Sequence, residues 1–121
     1  MFTNKVKYTS IDAALYNVPR KYYGYKSITE EIEMNGEYTS KILFPFGEGR
    51  YNGLRDMHNR IIEECKKDGK KYIYAYYEDP DATMHELGTD HKKANKVINK
   101  INDMTEDLCS KLGDDTLVIV T

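Results

Sequence analysis

The sequence predicts an α/β fold: a parallel βαβ core covered by helices, forming part of a larger three-layer α/β/α arrangement. Two runs, Tyr72 to Tyr77 and Thr116 to Thr121, are uncharged and dominated by aromatic or β-branched residues, the composition of buried strands. Between them, Ala94, Val97, Ile98, Ile101, Met104, Leu108 and Leu112 keep helical spacing from about His91 to Leu112. A strand, helix, strand succession of this kind places its strands parallel through a right-handed crossover. Residues 72–77 and 116–120 are therefore expected side by side or nearly so, with helix 91–112 across them. Strands apolar on both faces also require a layer on each side.

The remaining elements follow in order. Ser27-Ile28-Thr29-Glu30 has the form of a capping box, with Ser27 as cap and Glu30 reaching back to it. A short helix to about Met34 follows, stopped by Asn35-Gly36; the same dipeptide is alternatively a hairpin turn joining 29–34 to 38–44. Lys41 to Phe44 reads as a strand and Pro45 to Gly49 as a loop. From Leu54 to Lys67, apolar Leu54, Met57, Ile61, Ile62 and Cys65 form the stripe of an amphipathic helix, ended at Asp68-Gly69. The organisation is thus one partial domain over 1–121: residues 1–50 irregular with a short helix and strand, 51–121 a helix-strand-helix-strand core. Domains ordinarily finish in a polar tail. Here the last residue stands at the edge of an apolar strand, so the chain is expected to be a piece of a larger fold.

Composition narrows the function. The chain has 121 residues, 40% hydrophobic and 31% charged, within the range of one globular domain. A formal net charge of -2 argues against a nucleic-acid surface. No apolar run approaches the ~20 residues that span a bilayer, so no membrane partner is expected. The start, MFTNKVKYTS, lacks the apolar stretch of a secretory signal. Cys65 and Cys109 form no C-x-x-C pair and fall at apolar helical positions, where a free thiol behaves as a small buried hydrophobe. A reducing cytoplasm is the expected location. The cluster Lys66-Lys67-Asp68-Gly69-Lys70-Lys71 reads as a solvated turn. His58 reads as a surface or boundary histidine, and His91 as opening the long helix with Asp90 as its N-cap. Tyr22, Tyr23 and Tyr25 cluster as half-buried packing tyrosines or, alternatively, as a base-stacking surface. Gly47 and Gly49 lack the Lys and following helix of a phosphate-binding loop.

Chemistry concentrates after the first buried strand, in Tyr77-Glu78-Asp79-Pro80-Asp81-Ala82-Thr83-Met84-His85-Glu86-Leu87-Gly88. In an open parallel sheet this is the ligand-binding edge. One helical turn after Pro80 brings Asp81 and His85 onto one face. An oxygen and a nitrogen donor so placed suit zinc or manganese. The same spacing also describes a surface loop whose Asp caps a helix.

The stretch Tyr77-Glu78-Asp79-Pro80-Asp81 through His85-Glu86-Leu87-Gly88 resembles the loop of the type I phosphodiesterase/nucleotide pyrophosphatase family, in the alkaline phosphatase superfamily. The ending Asp115 to Thr121 is similar to the strand that, in that superfamily, leads into Ala-Asp-His-Gly. The resemblance covers residues 72–121 and departs at Met84, where the family has Gly. It implies a metal-dependent phosphate-ester hydrolase with a two-metal zinc or manganese centre, to which Asp81 and His85 contribute two ligands of one ion. It implies a phosphate-ester or nucleotide substrate. The nucleophile and a second Asp-His pair find no counterpart in this sequence, so the chain alone is expected to be inactive. An unpaired sheet edge would favour a homodimer. The competing class is a non-catalytic α/β binding or interaction module.

Overall fold

A computed structural model describes residues 18–24, 26–47 and 50–121. The readings of the N-terminal segment, Tyr25 and Gly49 lie outside those residues. In chain order the elements are α1 (Val18–Tyr23), α2 (Ile28–Met34), β1 (Tyr38–Leu43), α3 (Gly53–Cys65), β2 (Lys70–Ala75), α4 (Asp81–Leu87) and α5 (Lys92–Ser110).

At α2 the helix is formed and the hairpin is not. The Ser27 hydroxyl accepts from the Glu30 amide at 3.3 Å while the Ser27 amide donates to Glu30 Oε2 at 2.9 Å. Two orphan donors of the first turn are thereby satisfied. Gly36, at φ +70, turns the chain into β1. From α2, Glu33 Oε1 accepts from the Ser40 amide at 3.0 Å and its hydroxyl at 2.5 Å, which occupies part of the β1 edge with a carboxylate.

β1 and β2 pair in parallel, with Tyr38 opposite Lys70 and Leu43 opposite Ala75. α3 connects them, so β1-α3-β2 is the parallel βαβ unit of the α/β core. The sequence expectation had the class right and the partner wrong. Residues 116–120 follow the turn at 113–115 and pair with no described strand; Leu117, Ile119 and Val120 stay 84%, 75% and 70% exposed. β-branched composition supplies propensity, but a strand also needs a ladder partner, and among the described residues the sheet consists of β1 and β2 alone. β2 begins two residues earlier than the aromatic run, because Lys70 and Lys71 take up register with Tyr38 and Thr39.

The core lies on one face of this sheet. Leu43, Tyr51, Leu54 and Met57 are buried together, with Ile61, Ile73, Ala75, Tyr77, Ile101 and Met104 packed around them. Each fully buried large side chain contributes roughly 1.5–3 kcal/mol. α5 packs against both α3 and α4, sealing this layer with buried Ala94 and Leu108. On α3, His58 is buried, not at the surface: its exposure is 7%. It faces α5, where the Met104 backbone and Asp107 favour the imidazolium and Lys111 opposes it. Desolvation is the largest influence and holds its pKa below the ordinary value. Cys65 is half-buried, as a small apolar group would be, but Cys109 is exposed. The basic cluster after α3 is a solvated turn, with Lys71 Nζ donating to the carbonyls of Asp68 (2.7 Å) and Gly69 (3.0 Å). Among the described residues no helix is long and apolar enough to cross a membrane.

Candidate functional site

Parallel strands deliver their following loops to one edge, and here both loops are tied together there. Tyr76, the first residue past β2, donates its amide to the Leu43 carbonyl at 3.0 Å. Its own carbonyl accepts from the Tyr51 hydroxyl at 2.5 Å. Tyr51 comes from the loop after β1, where its amide donates to the Phe44 carbonyl at 3.3 Å. Its ring lies 6.5 Å from that of Tyr77, and its exposure is 4%. Glu78 Oε2 stands 3.4 Å from the same hydroxyl. Burial, reinforced by the Glu78 charge, drives the Tyr51 phenol far above its usual range, so it remains a protonated donor. Burial likewise raises the Tyr77 phenol.

Next, the chain enters α4. Asp79 Oδ1 accepts from the Thr83 amide at 3.1 Å and the Thr83 hydroxyl at 2.6 Å. One of the loop carboxylates is therefore a helix cap, holding an otherwise orphan amide of the first turn. The Ala82 and Met84 amides donate to the Glu78 and Pro80 carbonyls, both at 2.9 Å.

α4 brings the two sequence-predicted residues together. His85 Nε2 lies 3.4 Å from Asp81 Oδ1, with the side chains 81% and 72% exposed. A tetrahedral ion with bonds of ~2.0–2.1 Å holds neighbouring donor atoms about 3.3 Å apart. The separation and the oxygen–nitrogen donor set thus fit two adjacent positions of a zinc shell, and their exposure leaves the remaining positions accessible. No third His, Cys, Asp or Glu groups with them among the described residues. Glu78 and Glu86, carboxylates of the same stretch, are not grouped with the pair.

Two further sequence readings change. The cap of α5 is His91 itself, whose Nδ1 accepts from the Lys93 amide at 3.1 Å, in place of Asp90. Tyr51 was missed altogether. It is one of eleven tyrosines, and nothing in the local pattern of a loop tyrosine before Asn52-Gly53 marks it as the residue that clasps the two strand exits.

A parallel α/β unit carrying an Asp–His pair at the carboxyl edge of its sheet has the architecture of α/β enzymes that assemble chemistry at strand ends. The family comparison makes this specific: the model of the type I phosphodiesterase / nucleotide pyrophosphatase family matches residues 2–121. The chain belongs to that family. No curated protein and no solved structure matches it.

Proposed function

We propose that the chain contributes Asp81 and His85 as two ligands of one ion in the two-metal centre of a phosphate-ester hydrolase, acting on a phosphodiester or nucleotide. The observation that carries this reading is the 3.4 Å approach of His85 Nε2 to Asp81 Oδ1 on α4, at the exit of β2. A zinc or manganese ion held there supplies a Lewis acid for a phosphoryl oxygen and a water of lowered pKa. The chain's own part is to fix the two donors on one helical face and to anchor that helix through the Asp79–Thr83 cap. Two side chains leave half of a four-ligand shell to water. Groups that act as a unit lose nearly all activity when one is missing, so this chain by itself binds the ion weakly and does not turn over substrate.

Two measurements on the purified chain test the reading. Zinc titration followed by the His85 imidazole NMR signals should give weak, saturable binding, abolished in His85→Ala and sharply reduced in Asp81→Ala. Hydrolysis of p-nitrophenyl phosphate and bis(p-nitrophenyl) phosphate should stay at the buffer rate with zinc or manganese present. Zinc binding indifferent to both substitutions would remove the site; metal-stimulated turnover lost in His85→Ala would show a complete centre instead of a partial one.

A second reading, a non-catalytic α/β interaction module, draws on the same residues: the Asp81–His85 pair is then an exposed i,i+4 side-chain contact beside a capped helix. The zinc titration separates the two. We also propose self-association as a homodimer through the apolar 116–121 segment, whose Leu117, Ile119 and Val120 are exposed.

A further inference from the structure

We infer that Tyr51 is a positioning residue for the metal-ligand helix, acting through the backbone of Tyr76. The inference rests on the reading of Asp81 and His85 as ligands. α4 has seven residues, too few for a helix to hold itself in water. Its order depends on its packing against α5 and on how the chain enters it, and that entry is the stretch 76–80. At Tyr76 both backbone groups are held, the amide by the Leu43 carbonyl and the carbonyl by the Tyr51 hydroxyl. Tyr51 is fixed in turn by the buried cluster of Leu43, Leu54 and Met57 and by the hydrogen bond its amide donates to the Phe44 carbonyl. One buried side chain therefore transmits the rigidity of the β1 exit and the α3 base to the strand exit that launches the ligands. The second contact of the hydroxyl, to Glu78 at 3.4 Å, lies on the same stretch. Tyr77 on the same stretch packs against the core through its ring, whereas the Tyr51 hydroxyl holds the backbone itself; the Asp79 cap is internal to the turn it caps.

The consequence is a specific split. Tyr51→Phe keeps the ring packing and removes only the donor, so global stability should change little while the zinc affinity of the Asp81–His85 pair falls. The expected loss is about threefold to tenfold, below the ~10–100-fold seen when a partner hydrogen-bonded directly to a ligand is removed. By linkage, an ion that favours the anchored helix must also favour the Tyr51 clasp. In the unmutated chain, Tyr51 ring resonances should therefore move along the same zinc titration curve as His85, and stay still in His85→Ala.

The test is zinc titration by NMR on the full chain and its variants, with thermal unfolding by circular dichroism alongside. Weakened zinc binding in Tyr51→Phe at near-unchanged melting temperature, with Tyr51 following zinc in the unmutated chain, supports the assignment. Unchanged affinity in a folded Tyr51→Phe overturns it. If that variant does not fold, the Tyr51 resonances of the unmutated chain decide: signals that track His85 support the clasp, and signals indifferent to zinc overturn it. Should His85→Ala leave zinc binding intact, the ligand reading itself fails, an outcome distinct from a Tyr51 variant that binds normally.

Discussion

The two faces of the sheet are made from neighbouring residues and meet opposite fates. Leu43 is 2% exposed beneath α3, while Ile42, one position earlier, is 44% exposed. On β2 and its exit the covered face carries Ile73, Ala75 and Tyr77. By the period-two pleat the opposite face carries Ile42, Phe44, Tyr74 and Tyr76. There the aromatic rings cover one another, Phe44 stacking on Phe46 at 5.1 Å and meeting Tyr74 and Tyr76 at 5.8 and 5.9 Å. Strand composition thus registers a demand for cover on both faces, whereas α3 and α5 cover one. An apolar strand sequence says that a layer is needed, not which part of which chain provides it.

The sharpest way to break this comparison is to truncate the two neighbours separately. Leu43→Ala should cost about 2–5 kcal/mol, the transfer and cavity cost of a buried leucine. Ile42→Ala should cost well under half of that, because much of its side chain is already in water. Chemical denaturation of both variants reads the difference directly. Equal losses would mean that the aromatic face is covered in solution.

A smaller effect sharpens the covered side. His58 is buried between α3 and α5, and desolvation lowers its pKa from the ordinary 6.5. The unfolded chain therefore takes up this proton at a higher pH than the folded chain does. Between the lowered folded value and 6.5 the unfolded state binds more protons, so stability rises with pH through that window. His58 thus lowers stability as pH falls below about 6.5, and His58→Gln should flatten that part of the melting-temperature profile. The groups facing it are the Met104 backbone and Asp107, which resist the shift, and Lys111, which adds to it. A profile unchanged by the substitution would mean that the imidazole is hydrated.

What was legible in the sequence follows the range of the forces involved. The capping box of α2, the stripe of α3 and the length of α5 are fixed by contacts within a few residues, and all three form close to where spacing puts them. The Asp81–His85 approach is of the same kind, since one helical turn determines it. Strand partnership depends on residues far apart in sequence, and there β2 was given the wrong neighbour. His58 sits beside the apolar stripe, so its burial depends on α5 crossing at that point, which spacing on α3 alone does not reveal. Tyr51 shows the limit most clearly: its role depends on two strand exits meeting, where its hydroxyl reaches a carbonyl 25 residues away in the chain.

The smallest expected effect on stability concerns 116–121. If this segment is unpaired, Ile119→Ser removes no ladder contact and buries no polar group, so unfolding free energy should shift by no more than roughly half a kcal/mol. The same substitution should act strongly on association, because Leu117, Ile119 and Val120 are 84%, 75% and 70% exposed within one short stretch. Sedimentation at micromolar concentration should find the unmutated chain in a concentration-dependent dimer and Ile119→Ser shifted to monomer. A destabilisation of more than about 1 kcal/mol would place the segment in a sheet within its own chain, since a loss that large at this position requires lost packing. A monomer in both cases, with stability unchanged, would leave the segment unpaired and rule out the homodimer. The two readouts together separate a strand that has its partner from one that must find it on another copy.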